Sequence, residues 1–203
     1  MKTILVVTAS ARYEGAHSRA MSRLFIEKTK ALFPEAVIIE RDLTAEPLPA
    51  VSEEMLSGFF AKTDALPERV KASLSLSNRL SQELLAADLV VIATPMYNFN
   101  VPASLKAWID LVVRPGVTFE KVADGNLRGL CRGKSAMVLC SMGGRFAEHH
   151  TNLVEPYLKI IADFIGLENM QFAYMEGTAQ ASFDEEASLC RVEQDIERFL
   201  QDP

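Results

Sequence analysis

At 203 residues, 49% hydrophobic and 24% charged, the chain has the size and balance of one soluble domain, expected to span residues 1–203. A formal charge of −6 without a Lys/Arg cluster excludes sequence-independent nucleic-acid binding, and no segment nears the roughly 18 consecutive apolar residues of a membrane span. Cys131, Cys140 and Cys190, odd in number and without C-x-x-C spacing, exclude a disulfide framework, fit a reducing cytoplasm and are expected to be buried or inert.

Met1-Lys2, the apolar Ile4 to Val7 and Ala9-Ser10-Ala11 follow the order of a signal peptide. The apolar run of about four residues is short of the roughly seven such a segment needs, and a buried first strand, Thr3 to Thr8, explains it better. A helix is expected from Ser18 to Phe33, then a weaker strand from Val37 to Glu40. Leu43 to Leu66 is a long excursion with Pro47, Pro49 and a short helix near Ser52 to Phe60. Next come a helix from Pro67 to Ala87, a continuous apolar strand from Leu89 to Thr94, and a helix from Pro102 to Val113 holding Trp108 as a packing residue. A second, Gly-rich excursion, Arg114 to Gly133, precedes a strand from Ser135 to Cys140. A helix from Asn152 to Ile165 ended by Gly166, a strand from Met170 to Met175 and a helix from Asp184 to Leu200, with Ser182 and Glu185 in a capping-box pattern, complete the chain. Strict β-α alternation implies right-handed crossovers and a parallel sheet covered on both faces. Five strands point to an α/β, flavodoxin-like three-layer sandwich in the order 2-1-3-4-5.

In such a sheet a ligand lies beyond the carboxyl ends of the strands where their order reverses, so the loops after strands one, three and four are the ones to inspect. After strand one, Ser10 to Ser18 combines hydroxyls with backbone N–H groups at a helix start, suited to a terminal phosphate; the absence of G-x-G-x-x-G disfavours a dinucleotide. Two roles stay open for Ser18, helix cap or phosphate ligand, and two for His17, a cation at that site or a solvated loop residue. After strand three, Pro95-Met96-Tyr97-Asn98-Phe99-Asn100-Val101-Pro102 places aromatics and amides between prolines, a stiff surface for a planar heterocycle. After strand four, Ser141-Met142-Gly143-Gly144-Arg145-Phe146 carries paired glycines that let backbone N–H groups approach a ligand, although a plain turn has the same composition.

Other signals carry less. Gly129 to Ser135 resembles a phosphate loop, but its glycines are separated by three residues instead of four and it precedes a strand. His149-His150 lacks partners at metal-ligand spacing, so no metal is expected. No G-x-S-x-G elbow or nucleophile arrangement is present, so no catalytic side chain is expected.

Ser10, the loop ending at Ser18, the Pro95-Met96-Tyr97-Asn98-Phe99-Asn100 block, Gly116-Val117-Thr118-Phe119 and Ser141-Met142-Gly143-Gly144 together resemble the FMN-dependent NADH:quinone oxidoreductases, or azoreductases, of the flavodoxin-like superfamily. The resemblance implies a homodimer with one FMN per subunit at its interface. It also implies NADH or NADPH as co-substrate, and small aromatic acceptors, quinones and azo compounds, reduced in a ping-pong cycle. On that pattern Ser10, Ala16, His17 and Ser18 hold the phosphate, Pro95, Met96, Tyr97, Asn98 and Phe99 the ring, and Ser141, Met142, Gly143 and Gly144 its pyrimidine edge. Phe119 and Phe146 belong to the wall where nicotinamide and acceptor take turns. The chain departs from the family's usual Ser-Gln-Ser at Ala16 and His17, and from a frequent Arg at Met142. Two other functions fit a fold of this class: a one-electron carrier, usually shorter and more acidic, and a phosphoester hydrolase, for which no nucleophile is in evidence.

Overall fold

The structure, a computed structural model, describes residues 2–61, 65–123 and 125–202. Its main sheet contains β1 (Thr3–Thr8), β2 (Val37–Asp42), β3 (Leu89–Pro95), β6 (Ser135–Ser141) and β7 (Glu168–Met175). All neighbouring pairs are parallel, and their order is β2-β1-β3-β6-β7, the expected 2-1-3-4-5 once only the strands of this sheet are counted. A separate antiparallel pair, β4 (Phe119–Lys121) and β5 (Leu127–Gly129), lies in the second excursion. The helices are α1 (His17–Leu32), α2 (Glu53–Phe59), α3 (Glu68–Ala86), α4 (Ala103–Val112), α5 (Val154–Ile165) and α6 (Glu185–Gln201).

Alternation of side chains along the strands splits the core in two. Ile4, Val6, Val91, Met137 and Leu139 face Met21 and Phe25 of α1 and Val192, Ile196 and Phe199 of α6. Leu5, Val7, Val90, Ile92 and Val138 face α3, α4 and α5, among them Leu80, Leu84, Leu105, Trp108 and Leu158. Both faces are thus covered, which is why β3 reads as an unbroken apolar run and all seven of its residues are buried. Cys131 and Cys140 are free and buried, and burial pushes their thiols up to about 11 and about 12; Cys190 is free but exposed. Among the described residues no helix is long and apolar enough to cross a membrane.

Several boundaries differ from expectation, each for a local reason. Ser182 does not cap α6: Asp184 does, its side chain accepting from Ala187 N. Asn152 lies outside α5 and caps it, its Oδ1 accepting from Val154 N at 3.1 Å. Ser52 likewise caps α2 by accepting from Met55 N. Positions 62–64 of the first excursion lie outside the described residues. The second excursion is anchored rather than loose: Thr118, fully buried, accepts from Arg114 N at 2.8 Å and donates to Val112 O at 2.8 Å. Its hairpin then seats on the end of α5, where Cys131 N donates to Ile165 O at 2.8 Å.

At that seat a Cβ on Gly129 would fall inside the van der Waals shell of the Ile165–Gly166 backbone, which has no flexible end to move. Gly129→Ala should therefore destabilise the protein by about 1–3 kcal/mol, read as a lower urea midpoint with an unchanged m-value.

Candidate functional site

Three strands of the sheet end side by side. Thr8 pairs with Ala93 and Pro95 with Ser141, and the ladder runs past them: Ala9 N donates to Ala93 O at 3.0 Å and Met96 N to Ser141 O at 2.8 Å. The loops that leave β1, β3 and β6 consequently share one rim. Between them is a cleft of about 170 Å³ lined by Ser10, Arg12, Gly15 to Ser18, Pro95 to Tyr97, Ser141, Gly143 and Thr178.

The α1 end of this cleft is built to receive an anion. Ala16 occupies the N-cap position and has no side-chain acceptor to offer, and the first turn holds no acidic residue. Among the described residues the N–H groups of His17, Ser18 and Arg19 find no acceptor; the first α1 bond is Ala20 N to Ala16 O at 3.0 Å. Ser18, one of the residues with two open roles, is not the cap. It is the second residue of the helix, 1% exposed, and its Oγ has no hydrogen-bond partner among the described residues. By contrast Ser22, one turn later, returns its hydroxyl to Arg19 O at 2.9 Å, the usual resort of a helical serine. An open helix start with a desolvated hydroxyl beside it favours a negatively charged ligand.

Ser10 is 3% exposed and folds the loop on itself, its Oγ accepting from Arg12 N at 3.2 Å. His17 is not a solvated loop residue: it opens α1, its ring meets Phe183 edge-on at 5.1 Å, and its Nδ1 lies 3.3 Å from a Glu185 carboxylate oxygen. That ring packs beside Phe183 and the first residue of α6, and its buried Nδ1 makes no hydrogen bond among the described residues.

The block after β3 is a tight turn. Tyr97 and Asn100 exchange both backbone hydrogen bonds, at 2.9 and 3.1 Å, around Asn98 and Phe99 with φ of 49° and 68°. Two successive positive φ values are the signature of a type I′ turn, tolerated by Asn but costly for Phe. The strain is held by Leu153 N donating to Phe99 O at 3.0 Å and by the Phe146 ring, 5.7 Å from that of Phe99 in an edge contact. Tyr97 and Phe99 stay 42% and 47% exposed, an aromatic ledge beside the cleft.

After β6, Gly143 and Gly144 are fixed by the loop that follows β7: Ala179 N donates to Gly143 O at 3.1 Å and Gly177 N to Gly144 O at 2.8 Å. Their own N–H groups have no acceptor among the described residues. A Cβ on Gly144 would run into the Phe146 ring, so only glycine lets that ring close on the turn. Asn98, Phe99, Gly144 and Phe146 sit beside the cleft without lining it, and Met142 and Phe119 stand elsewhere. Met142 is 1% exposed in the core, its N–H donates to Met175 O and its carbonyl accepts from Thr178, because it prolongs the β6–β7 ladder with its side chain turned inward. Phe119 does not reach the cleft: it sits in β4 against Phe164 at 4.6 Å, near the far end of α5. At 1.5 Å per residue, Phe164 is about 16 Å along the helix from Leu153, which borders the aromatic ledge.

Arg12 and Gly15, inside the expected Ser10 to Ser18 loop, also line the cleft, as does Thr178, which the sequence reading does not single out. Gly177 and Thr178, in the loop after β7, carry the turn composition that marks such a residue in the sequence. A larger cavity of about 420 Å³ opens beside Gly177 and includes Arg145, Arg191, Glu176 and Asp184. It abuts the start of α6, which is capped by Asp184 and carries Glu185 and Glu186 in its first turn, a poor host for an anion.

Comparison with known proteins agrees with this geometry. The sequence profile of the flavodoxin-like fold family matches residues 2–200. An FMN-dependent NADH:quinone oxidoreductase of Azotobacter vinelandii is 39% identical over 196 residues, covering 97% of this chain and 98% of that protein. One of the same name from Beijerinckia indica is 43% identical over 180 residues, covering 87% and 89%. The crystal structure of an azoreductase from Bacillus anthracis superposes with a TM-score of 0.88 at 28% identity, covering 98% of both chains. The chain belongs to the flavodoxin-like fold family, among its FMN-dependent NADH:quinone oxidoreductases and azoreductases.

Proposed function

We propose that each subunit holds one FMN, its phosphate at the start of α1 and its ring on the ledge of the β3 loop, and reduces quinones and azo compounds at the expense of NADH or NADPH. The observation that carries this reading is the buried, unpartnered Ser18 Oγ beside an uncapped helix start, in a cleft at the ends of β1, β3 and β6. A phosphate monoester satisfies those donors together. The names of the relatives supply the rest, since both cite FMN and NADH.

When bound, the flavin would supply two-electron hydride chemistry between a reduced nicotinamide and an acceptor. The protein binds and orients. Ser10, Ser18 and the N–H groups of His17, Ser18 and Arg19 take the phosphate, Pro95 to Phe99 present a flat face, and Ser141 and Gly143 line the polar edge, with Gly144 next to it. The free N–H groups of Gly143 and Gly144 are preorganised donors for negative charge gathered at that edge, at no cost of reorganisation. A flat aromatic ledge selects for planarity more than for identity, which suits a range of quinone and azo acceptors.

A cleft of about 170 Å³ is small against the roughly 300–1,000 Å³ of small-molecule sites, so the ring must lie on the open rim. Next to that rim Leu153, just before α5, is 48% exposed and Ile160 of α5 65%, with partly buried Tyr157 and Phe164 on the same flank. We take this stripe as the contact with a second copy, which closes the site. Phe119, remote from the cleft of its own subunit, then has a place in the aromatic wall only across that contact. The unpaired cysteines fit a reducing compartment, the cytoplasm.

The purified chain should be yellow, lose its flavin absorbance when NADH or NADPH is added without oxygen, and regain it with a quinone. A colourless preparation that takes up no FMN from an excess would end the reading. Ser18→Ala should raise the FMN dissociation constant about tenfold, while the melting temperature without flavin stays level or rises, because an unsatisfied buried hydroxyl is removed. Ile160→Asp should shift the sedimentation profile from dimer to monomer and depress turnover with it.

A further inference from the structure

The loop between β1 and α1 is held from behind by one side chain. Arg19, in the first turn of α1, is only 12% exposed and reaches back across the loop. Its Nε donates to Arg12 O at 3.0 Å, and its Nη2 to Ser10 O at 2.8 Å and to Thr44 Oγ1 at 2.9 Å. Its Nη1 and Nη2 also grip the two carboxylate oxygens of Asp42 at 2.8 and 3.0 Å. The Tyr13 ring covers the guanidinium at 4.5 Å. Strand register makes this possible: Asp42, the last residue of β2, pairs with Thr8 and so stands where the loop leaves β1. Burial draws the Asp42 carboxyl upward, but hydrogen bonds from Arg19 and from Thr44 outweigh it and hold the group at about 2.

The donors of Arg19 are directed at the loop backbone, at Thr44 and at Asp42, and its charge is matched by that carboxylate. It therefore does not serve as a ligand of an anion in the cleft. It fixes two carbonyls instead. A carbonyl oxygen turned toward an anion repels it, and a planar peptide that turns its oxygen one way turns its N–H the other. With Ser10 O and Arg12 O tied to the guanidinium, those peptides cannot rotate their oxygens into the cleft.

Resting on the FMN reading above, we infer that Arg19, clamped by Asp42, is a positioning residue that shapes the β1–α1 loop for a phosphate monoester and so makes the chain prefer FMN to riboflavin. The bidentate guanidinium is needed for this, since a lysine at the same place offers charge without the planar fork that reaches two carbonyls and a carboxylate together.

The test loads the full chain with FMN or with riboflavin and measures both dissociation constants by flavin fluorescence for the unaltered protein, Arg19→Ala, Arg19→Lys and Asp42→Asn. Arg19→Ala should weaken FMN about tenfold or more and leave riboflavin within about twofold. Arg19→Lys should recover part of the loss, and Asp42→Asn should show a smaller loss of the same FMN-only kind. If Arg19→Ala does not fold, the other two variants decide by the same ratio of FMN to riboflavin affinity. FMN binding that is unchanged in the variants, or weakened equally with riboflavin, overturns the inference while leaving the FMN site standing. An unaltered protein that binds FMN no more tightly than riboflavin overturns the phosphate site itself, and this inference with it.

Discussion

Parallel pairing forces every strand of the main sheet to be re-entered from the same end, and that constraint creates the site. The chain leaves β1 through α1 toward β2 on one side and leaves β3 through α4 toward β6 on the other, so these two connections depart in opposite directions. Between them no connection can cover the ends of β1 and β3. Because the register keeps Ala93 opposite Thr8 and Ser141 opposite Pro95, three loops emerge at one level and face a common gap. The same register brings Asp42 beside Thr8, where it can steady the first of those loops.

The helix starts show what the fold does when no ligand is involved. Side chains cap α2, α5 and α6 through Ser52, Asn152 and Asp184, and α3 and α4 begin after Pro67 and Pro102, whose fixed φ suits a helix entrance. Among the helices of the described residues α1 has neither device, and its start opens on the cleft. Add the buried hydroxyl of Ser18 and the left-handed backbone at Phe99, and three locally unfavourable features meet at one rim. Such a concentration is expected where a bound group supplies the missing partners.

How far these features can be read from sequence depends on the distance over which each is decided. β1, β3 and β6 were legible because burial on both faces leaves no polar position, and the loops after them followed from topology. β2 was read short at Glu40 because an edge strand admits Glu40, Arg41 and Asp42 without a broken core. The β4–β5 hairpin was not foreseen, since strands of three residues carry too little periodicity to register. The family resemblance implies a ligand contact for Met142, but strand alternation continues one residue past β6 and turns its side chain inward. The Arg19–Asp42 pair was invisible for a different reason: 23 positions separate the two, and only the β1–β2 register makes them neighbours.

The ionisable groups with displaced equilibria bear on what the site does. Lys28 with Glu193 and Glu197, Arg41 with Glu83, and Tyr174 with Glu155 all stand away from the cleft and tie helices or strands together. Asp42 is the one near it, and it acts behind the loop rather than toward a ligand. The cleft itself offers N–H groups, hydroxyls and an aromatic ledge, which align a planar anionic molecule and hold charge on it. A surface of that kind places the chemistry on what it binds.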